Sequence, residues 1–188
     1  IGEFGVYGTL EPTDTGYIRF NREFGLGMET KHARRELTIA GYPFYAGSVV
    51  ISNTFYVSDI KRYEKAILKV NDFRACVGKV FINGEYAGAL RWKPYETDIT
   101  GMLVSGENRI EIELTNTLRN LLGPYHIPEG EDTQCWSDAW TGEYDRETRT
   151  SYPDWYLSEN RIPDTKTWTE SYMQKPFGID FVKIFFKI

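Results

Sequence analysis

The chain has 188 residues, with 22 Lys and Arg against 27 Asp and Glu for a formal net charge of -5, and 41% of its residues are hydrophobic. That balance lacks the positive field with which proteins grip nucleic-acid phosphates. No run reaches the roughly 20 apolar residues of a membrane-spanning helix, and no basic region followed by an apolar stretch marks a signal peptide. A chain of this length buries roughly 70% of its unfolded surface, so one domain over residues 1–188 is expected. It opens at Ile1, as a mature form, a trimmed form or a fragment would, and localisation stays open. Cys76 and Cys135 are the only cysteines; two thiols make no disulfide framework, and separate reduced side chains are expected. Aromatic residues make up 15% of the chain, and four of the five Trp fall between Trp136 and Trp168.

Residues 1–40 read as edge strands or linker. Tyr7–Leu10 and Tyr17–Phe20 flank a turn at Glu11–Gly16, while Phe24-Gly25-Leu26-Gly27 is too poor in strand formers to place, and its glycines read as turn or bulge. Lys31–Arg35 is a compact basic run and reads as a solvated face. In Ser48–Val57, Val49, Ile51, Phe55 and Val57 alternate as one apolar face, with Asn53 as the exception. Ala66–Val70 forms the next strand and Asn71-Asp72 ends it. Val80–Ile82 and Glu85–Ala87 then flank Asn83-Gly84, the strongest short signal for a two-residue hairpin, because both central positions of a type I′ turn need positive φ. Gly106-Glu107-Asn108 turns the chain into Arg109–Leu114, whose apolar side chains recur at every second residue. Such short spacing without a helical period predicts an all-β sandwich. From Glu129 to Glu170 the rhythm breaks, with eleven acidic residues against four basic ones, so residues 127–172 read as a long insertion. Phe177–Phe186 supplies a last strand.

The combination of VFINGEYAG (Val80–Gly88), YETDITGML (Tyr95–Leu103) and GENRIEIEL (Gly106–Leu114) resembles the sugar-binding jelly-roll domains of family 2 glycoside hydrolases and their galactose-binding-like relatives. TLRNLLGPYH (Thr117–His126) is similar to a segment of accessory β-sandwich domains in large bacterial glycoside hydrolases. The resemblance implies a galactose-binding-like jelly-roll β-sandwich, here with a Trp-rich excursion before its last strand. It also implies attachment to a catalytic domain of the same polypeptide, because such enzymes carry their catalytic carboxylates on a separate barrel, and with that an extracytoplasmic setting. A structural Ca²⁺ is common in such sandwiches, but no Asp/Asn-rich calcium loop stands out, so no cofactor is assigned.

Three functions remain open on these residues. A noncatalytic accessory domain would brace a catalytic partner and line its carbohydrate cleft. It should show an extended apolar patch. An autonomous carbohydrate-binding module would instead expose Trp or Tyr rings, on which the C–H face of a sugar stacks while polar groups meet its hydroxyls. The candidate ligand residues are Trp92, which lies between Arg91 and Lys93, together with Tyr125, His126, Trp136, Trp140 and Trp155. Core packing and interdomain contact compete for each ring, and a ring hydrogen bond that fastens a loop competes for His126. Last, a glycosidase would need two carboxyl groups about 5 Å or about 6.5 to 9.5 Å apart. Asp138, Glu143, Asp145 and Glu147 are locally dense, yet no spacing singles out a pair. The four His and Cys side chains have no paired spacing for zinc, and Cys76, within an apolar run, reads as a small buried side chain.

Overall fold

The computed structural model describes residues 4–28, 36–122, 126 and 169–188. The basic run at 31–35, Cys135 and the stretch from 127 to 168 lie outside the described residues. Two compact units divide the chain: Ile1–Tyr7, Gly25–Gly123 and Lys175–Ile188 form the first, and Gly8–Phe24 with Pro124–Gln174 the second. In chain order the strands are β1 (Gly5–Pro12), β2 (Ile18–Gly27), β3 (Ser48–Val57), β4 (Lys65–Asn71), β5 (Val77–Ile82), β6 (Glu85–Leu90), β7 (Glu96–Asp98), β8 (Gly106–Thr115), β9 (Tyr172–Gln174) and β10 (Phe181–Lys187). Among the described residues the only α-helix is the four-residue α1 (Arg119–Leu122). The fold is all-β, as expected.

The first unit is a sandwich of two sheets with strand orders β3, β8, β5, β6 and β10, β4, β7. Alternation decides which faces meet. On β8, Ile110, Ile112 and Leu114 are buried, and the antiparallel register sets Asn53, Ile51 and Val49 of β3 opposite them. Val80 and Ile82 of β5 pair with Ile112 and Ile110 from the other side. In the second sheet the buried side chains of Ala66, Leu68 and Val70 lie opposite Phe186, Ile184 and Val182. These inner faces form one core, which Leu37, Leu90, Ile99, Phe177 and Ile179 complete. Each fully buried aliphatic or aromatic side chain contributes about 1.5 to 3 kcal/mol.

The hairpin expected at Asn83-Gly84 is present, with φ values of 53° and 86°. Asn83 does more than turn. Its backbone N–H donates to the carbonyl of Arg109 (2.8 Å), its Oδ1 accepts from Arg109 N (2.9 Å), and its Nδ2 donates to Met102 O and Asn108 Oδ1. The Gly-Glu-Asn sequence also gains a structural reason. Gly106 opens β8 at φ 108°, and Asn108 is buried on the inner face.

Asp98, at the end of β7, accepts from the hydroxyl and backbone N–H of Thr100, with Lys65 3.7 Å away. These contacts, the Thr100 hydroxyl foremost, hold its carboxyl below the usual carboxylate range. A folded pKa below the unfolded one, about 3.9 for Asp, gives stabilisation present above that value and lost as pH falls through the folded pKa. Asp98→Asn should therefore flatten the acid-side loss of stability, read as urea midpoints taken at successive pH values below about 5.

Three local expectations need correction. The terminal strand begins at Phe181 rather than Phe177. Phe177 and Ile179 are nevertheless buried, since the segment before β10 enters the core without pairing as a regular strand. Phe24–Gly27 is the end of β2, and a side chain at Gly27 would come within 3.0 Å of the Tyr7 ring, so the glycine makes room for that ring. Cys76 is exposed. Its backbone N–H reaches Thr115 O just before β5; it shares the parity of the buried Gly78, Val80 and Ile82, but lies outside the regular strand, where that alternation no longer holds.

In the second unit, β2 pairs with β9 through Ile18, Arg19 and Phe20 opposite Gln174, Met173 and Tyr172, and β1 lies on the other side of β2. The turn expected at Glu11–Gly16 is closed by Thr13 N–H to Tyr17 O and Gly16 N–H to Thr13 O.

Candidate functional site

Trp92 lies in the loop that carries the chain from β6 to β7, and its side chain is 72% exposed. Arg91 and Lys93 beside it are exposed as well. Neither has an ion-pair partner among the described residues. Next to the loop is an open depression of about 510 Å³, whose lining includes Lys69, Asn71, Asp72, Phe73, Lys93 and Tyr95. Its aromatic wall is the Phe73–Tyr95 pair, with ring centroids 4.5 Å apart and planes tilted by 33°. The wall is held in place because Val70 N–H donates to the Tyr95 carbonyl at 2.9 Å. Lys69 is paired with Glu96 at 2.7 Å, so its charge is largely spent on the sheet. Asn71 contributes an amide whose buried Oδ1 has no partner.

A second concavity, of about 370 Å³, opens where β3 and β10 are both edge strands among the described residues. Ile51, Phe55, Ile110, Ile112, Val182 and Ile184 give it an apolar lining, with Ser52, Asn53, Thr54 and Asp180 as polar members. On the outward sides of the same two strands, Val50 is 56%, Tyr56 76% and Phe185 52% exposed. β3 carries no charged residue along its ten positions. Long, uncharged, exposed edges invite pairing with other chains, and proteins normally blunt or cover them.

His126 belongs to the second unit. Its Nδ1 lies 3.0 Å from the Thr169 carbonyl, Thr169 N–H donates back to the His126 carbonyl at 2.7 Å, and its ring packs 4.8 Å from that of Tyr172. This geometry fastens the backbone at residue 126 to the approach to β9. Tyr125, Trp136, Trp140 and Trp155 lie outside the described residues, as do Asp138, Glu143, Asp145 and Glu147. Among the described residues no three His, Cys, Asp or Glu side chains gather as a metal site.

Phe73, Tyr95 and Asn71 were not among the sequence candidates. Phe73 follows the Asn71-Asp72 strand end and Tyr95 precedes β7. Only the pairing of β4 with β7 brings them together.

No family model matches the chain. Over 132 residues it is 27% identical to a protein of Formosa agariphila described as "Putative beta-glucuronidase", a match that covers 68% of this chain and 10% of that protein. The chain is related to a segment of a glycoside hydrolase. Among solved structures, a rhamnosidase from Novosphingobium sp. PP1Y matches 98% of this chain and 15% of its own, at 16% identity and a TM-score of 0.44. A β-glucuronidase from an uncultured Clostridium sp. matches 47% of this chain and 14% of its own, at 20% identity and a TM-score of 0.36. The glycoside hydrolase-related chain thus spans between a tenth and about a seventh of the lengths of these proteins.

Proposed function

We propose that the chain is a noncatalytic accessory domain of a multidomain glycoside hydrolase, with the galactose-binding-like jelly-roll connectivity that its motifs resemble, and that it braces the catalytic domain. The observation that supports this reading is the open apolar edge of the sandwich. Ile51, Phe55, Val182 and Ile184 line a groove between β3 and β10, which are edge strands among the described residues, and an apolar patch of that kind marks a contact surface. A covering protein surface would remove these side chains from water and protect the β3 edge.

The test compares the isolated chain with the polypeptide that contains it. Ser52→Lys together with Thr54→Lys, both exposed and both in the groove lining, should change the isolated chain's unfolding free energy by no more than about 0.5 kcal/mol, as is usual for exposed positions. In the longer polypeptide the same pair should lower the melting temperature of the catalytic part. Unchanged melting there rejects the bracing role. Turnover of aryl glycosides by the isolated chain, abolished by a carboxylate substitution, rejects the noncatalytic one.

A second reading, carbohydrate binding, is favoured by one observation, the exposure of Trp92 between two cations.

A further inference from the structure

We propose that the Arg91–Lys93 loop and the depression beside it bind an anionic saccharide, one whose sugar rings carry carboxylates. The proposal concerns a face distinct from the β3/β10 groove, so it holds or fails independently of the bracing role.

Four features converge on this ligand class. The Trp92 ring is largely exposed, which leaves it as a platform for the C–H face of a pyranose. Arg91 and Lys93 precede and follow it in the chain, both exposed and neither ion-paired among the described residues. Elsewhere in the same unit Lys65, Lys69, Lys79 and Arg109 each meet a carboxylate. Lys93 itself lines the depression, as does Asp72, whose carboxylate lies 3.5 Å from the Arg74 guanidinium, so the loop that carries Trp92 contributes one cation to the concavity. Asn71 adds an amide in the same wall with an unpartnered oxygen. Rotation about its terminal torsion, which is soft for Asn, can turn that oxygen toward a sugar hydroxyl.

A neutral sugar would use the ring and the amide and could accept hydrogen bonds from the two cations, but would leave their charges uncompensated. Phosphate alone would use the cations but neither the ring nor the Phe73–Tyr95 wall. A carboxylated sugar uses all of them. Arg offers a fork of N–H groups suited to a carboxylate, and Lys a compact point charge. Because the chain carries a net charge of -5, attraction must come from this local pair, and binding should be strongly screened by salt.

The experiment is a calorimetric titration of the folded chain with tetramers of glucuronate, galacturonate and mannuronate, and with their methyl esters. Saturable binding to at least one acidic tetramer is expected. Trp92→Ala and the double variant Arg91→Gln with Lys93→Gln should each weaken it at least tenfold, and esterification or 0.5 M NaCl should do the same. All three positions are exposed, so the variants should keep the parent circular dichroism spectrum and melting temperature. Equal affinity for acid and ester would overturn the proposal in favour of a neutral-carbohydrate site. No binding to any acidic tetramer would overturn it outright, as would binding that both variants leave unchanged.

Discussion

Phe177→Ala is expected to lower the unfolding free energy by about 3 to 5 kcal/mol, the range for emptying a buried phenylalanine site. The side chain is fully buried, although Phe177 lies outside any strand. Its backbone explains how. The N–H donates to Glu36 Oε1 at 2.7 Å and to Thr38 Oγ1 at 3.1 Å, while the carbonyl accepts from Leu37 N at 2.7 Å. Glu36 is itself held by Arg74 at 2.8 Å, and the Arg74 backbone exchanges two hydrogen bonds with Gly178. With the main chain clamped on both sides, the segment has little freedom to collapse into the space an alanine would leave. The ring also lies nearly parallel to that of Tyr45, with centroids 6.3 Å apart. Urea denaturation checks this as a fall in midpoint at unchanged slope. A loss below about 1 kcal/mol would show that the segment repacks despite its clamp.

Phe177 also shows where sequence reading stops. β3, β4 and β8 are readable because each has one buried face and a period of two, and the β5–β6 hairpin because its turn demands positive φ at Asn83 and Gly84. Burial at Phe177 and Ile179 follows no period, since irregular backbone places them. The glycines near the end of β2 carry no strand propensity, and the role of Gly27 emerges only from the nearness of the Tyr7 ring. At the candidate site, Trp92 and its two cations were visible as neighbours in sequence. The Phe73–Tyr95 wall was not, because residues at the end of β4 and the start of β7 meet through sheet pairing. The open groove depends on which strands end as edges, a property of strand order. Asn53 signalled it faintly, as the one polar break in an apolar alternation, and it lines the groove.

Asn108→Ala should be the next most damaging change, at about 2 to 4 kcal/mol, because it removes four part-buried hydrogen bonds of one buried side chain at once. Asn108 is 1% exposed. Its Oδ1 accepts from Val104 N (2.9 Å) and Asn83 Nδ2 (3.0 Å), and its Nδ2 donates to Val104 O (2.8 Å) and Gly106 O (3.2 Å). The side chain thereby replaces the backbone pairing that the 104–106 turn lacks and joins it to the β5–β6 hairpin through Asn83. Asn108→Asp is expected to be similarly costly, since a carboxylate keeps the acceptor but sets negative charge against the carbonyls of Val104 and Gly106. A double-mutant cycle with Asn83→Ala separates a network from a set of independent bonds. The two residues share a direct hydrogen bond, so a coupling of about 0.5 to 3 kcal/mol is expected. Additive losses would mean that each asparagine serves its own turn, and that the spacing from Asn83 to Asn108 reflects two local requirements instead of one shared brace.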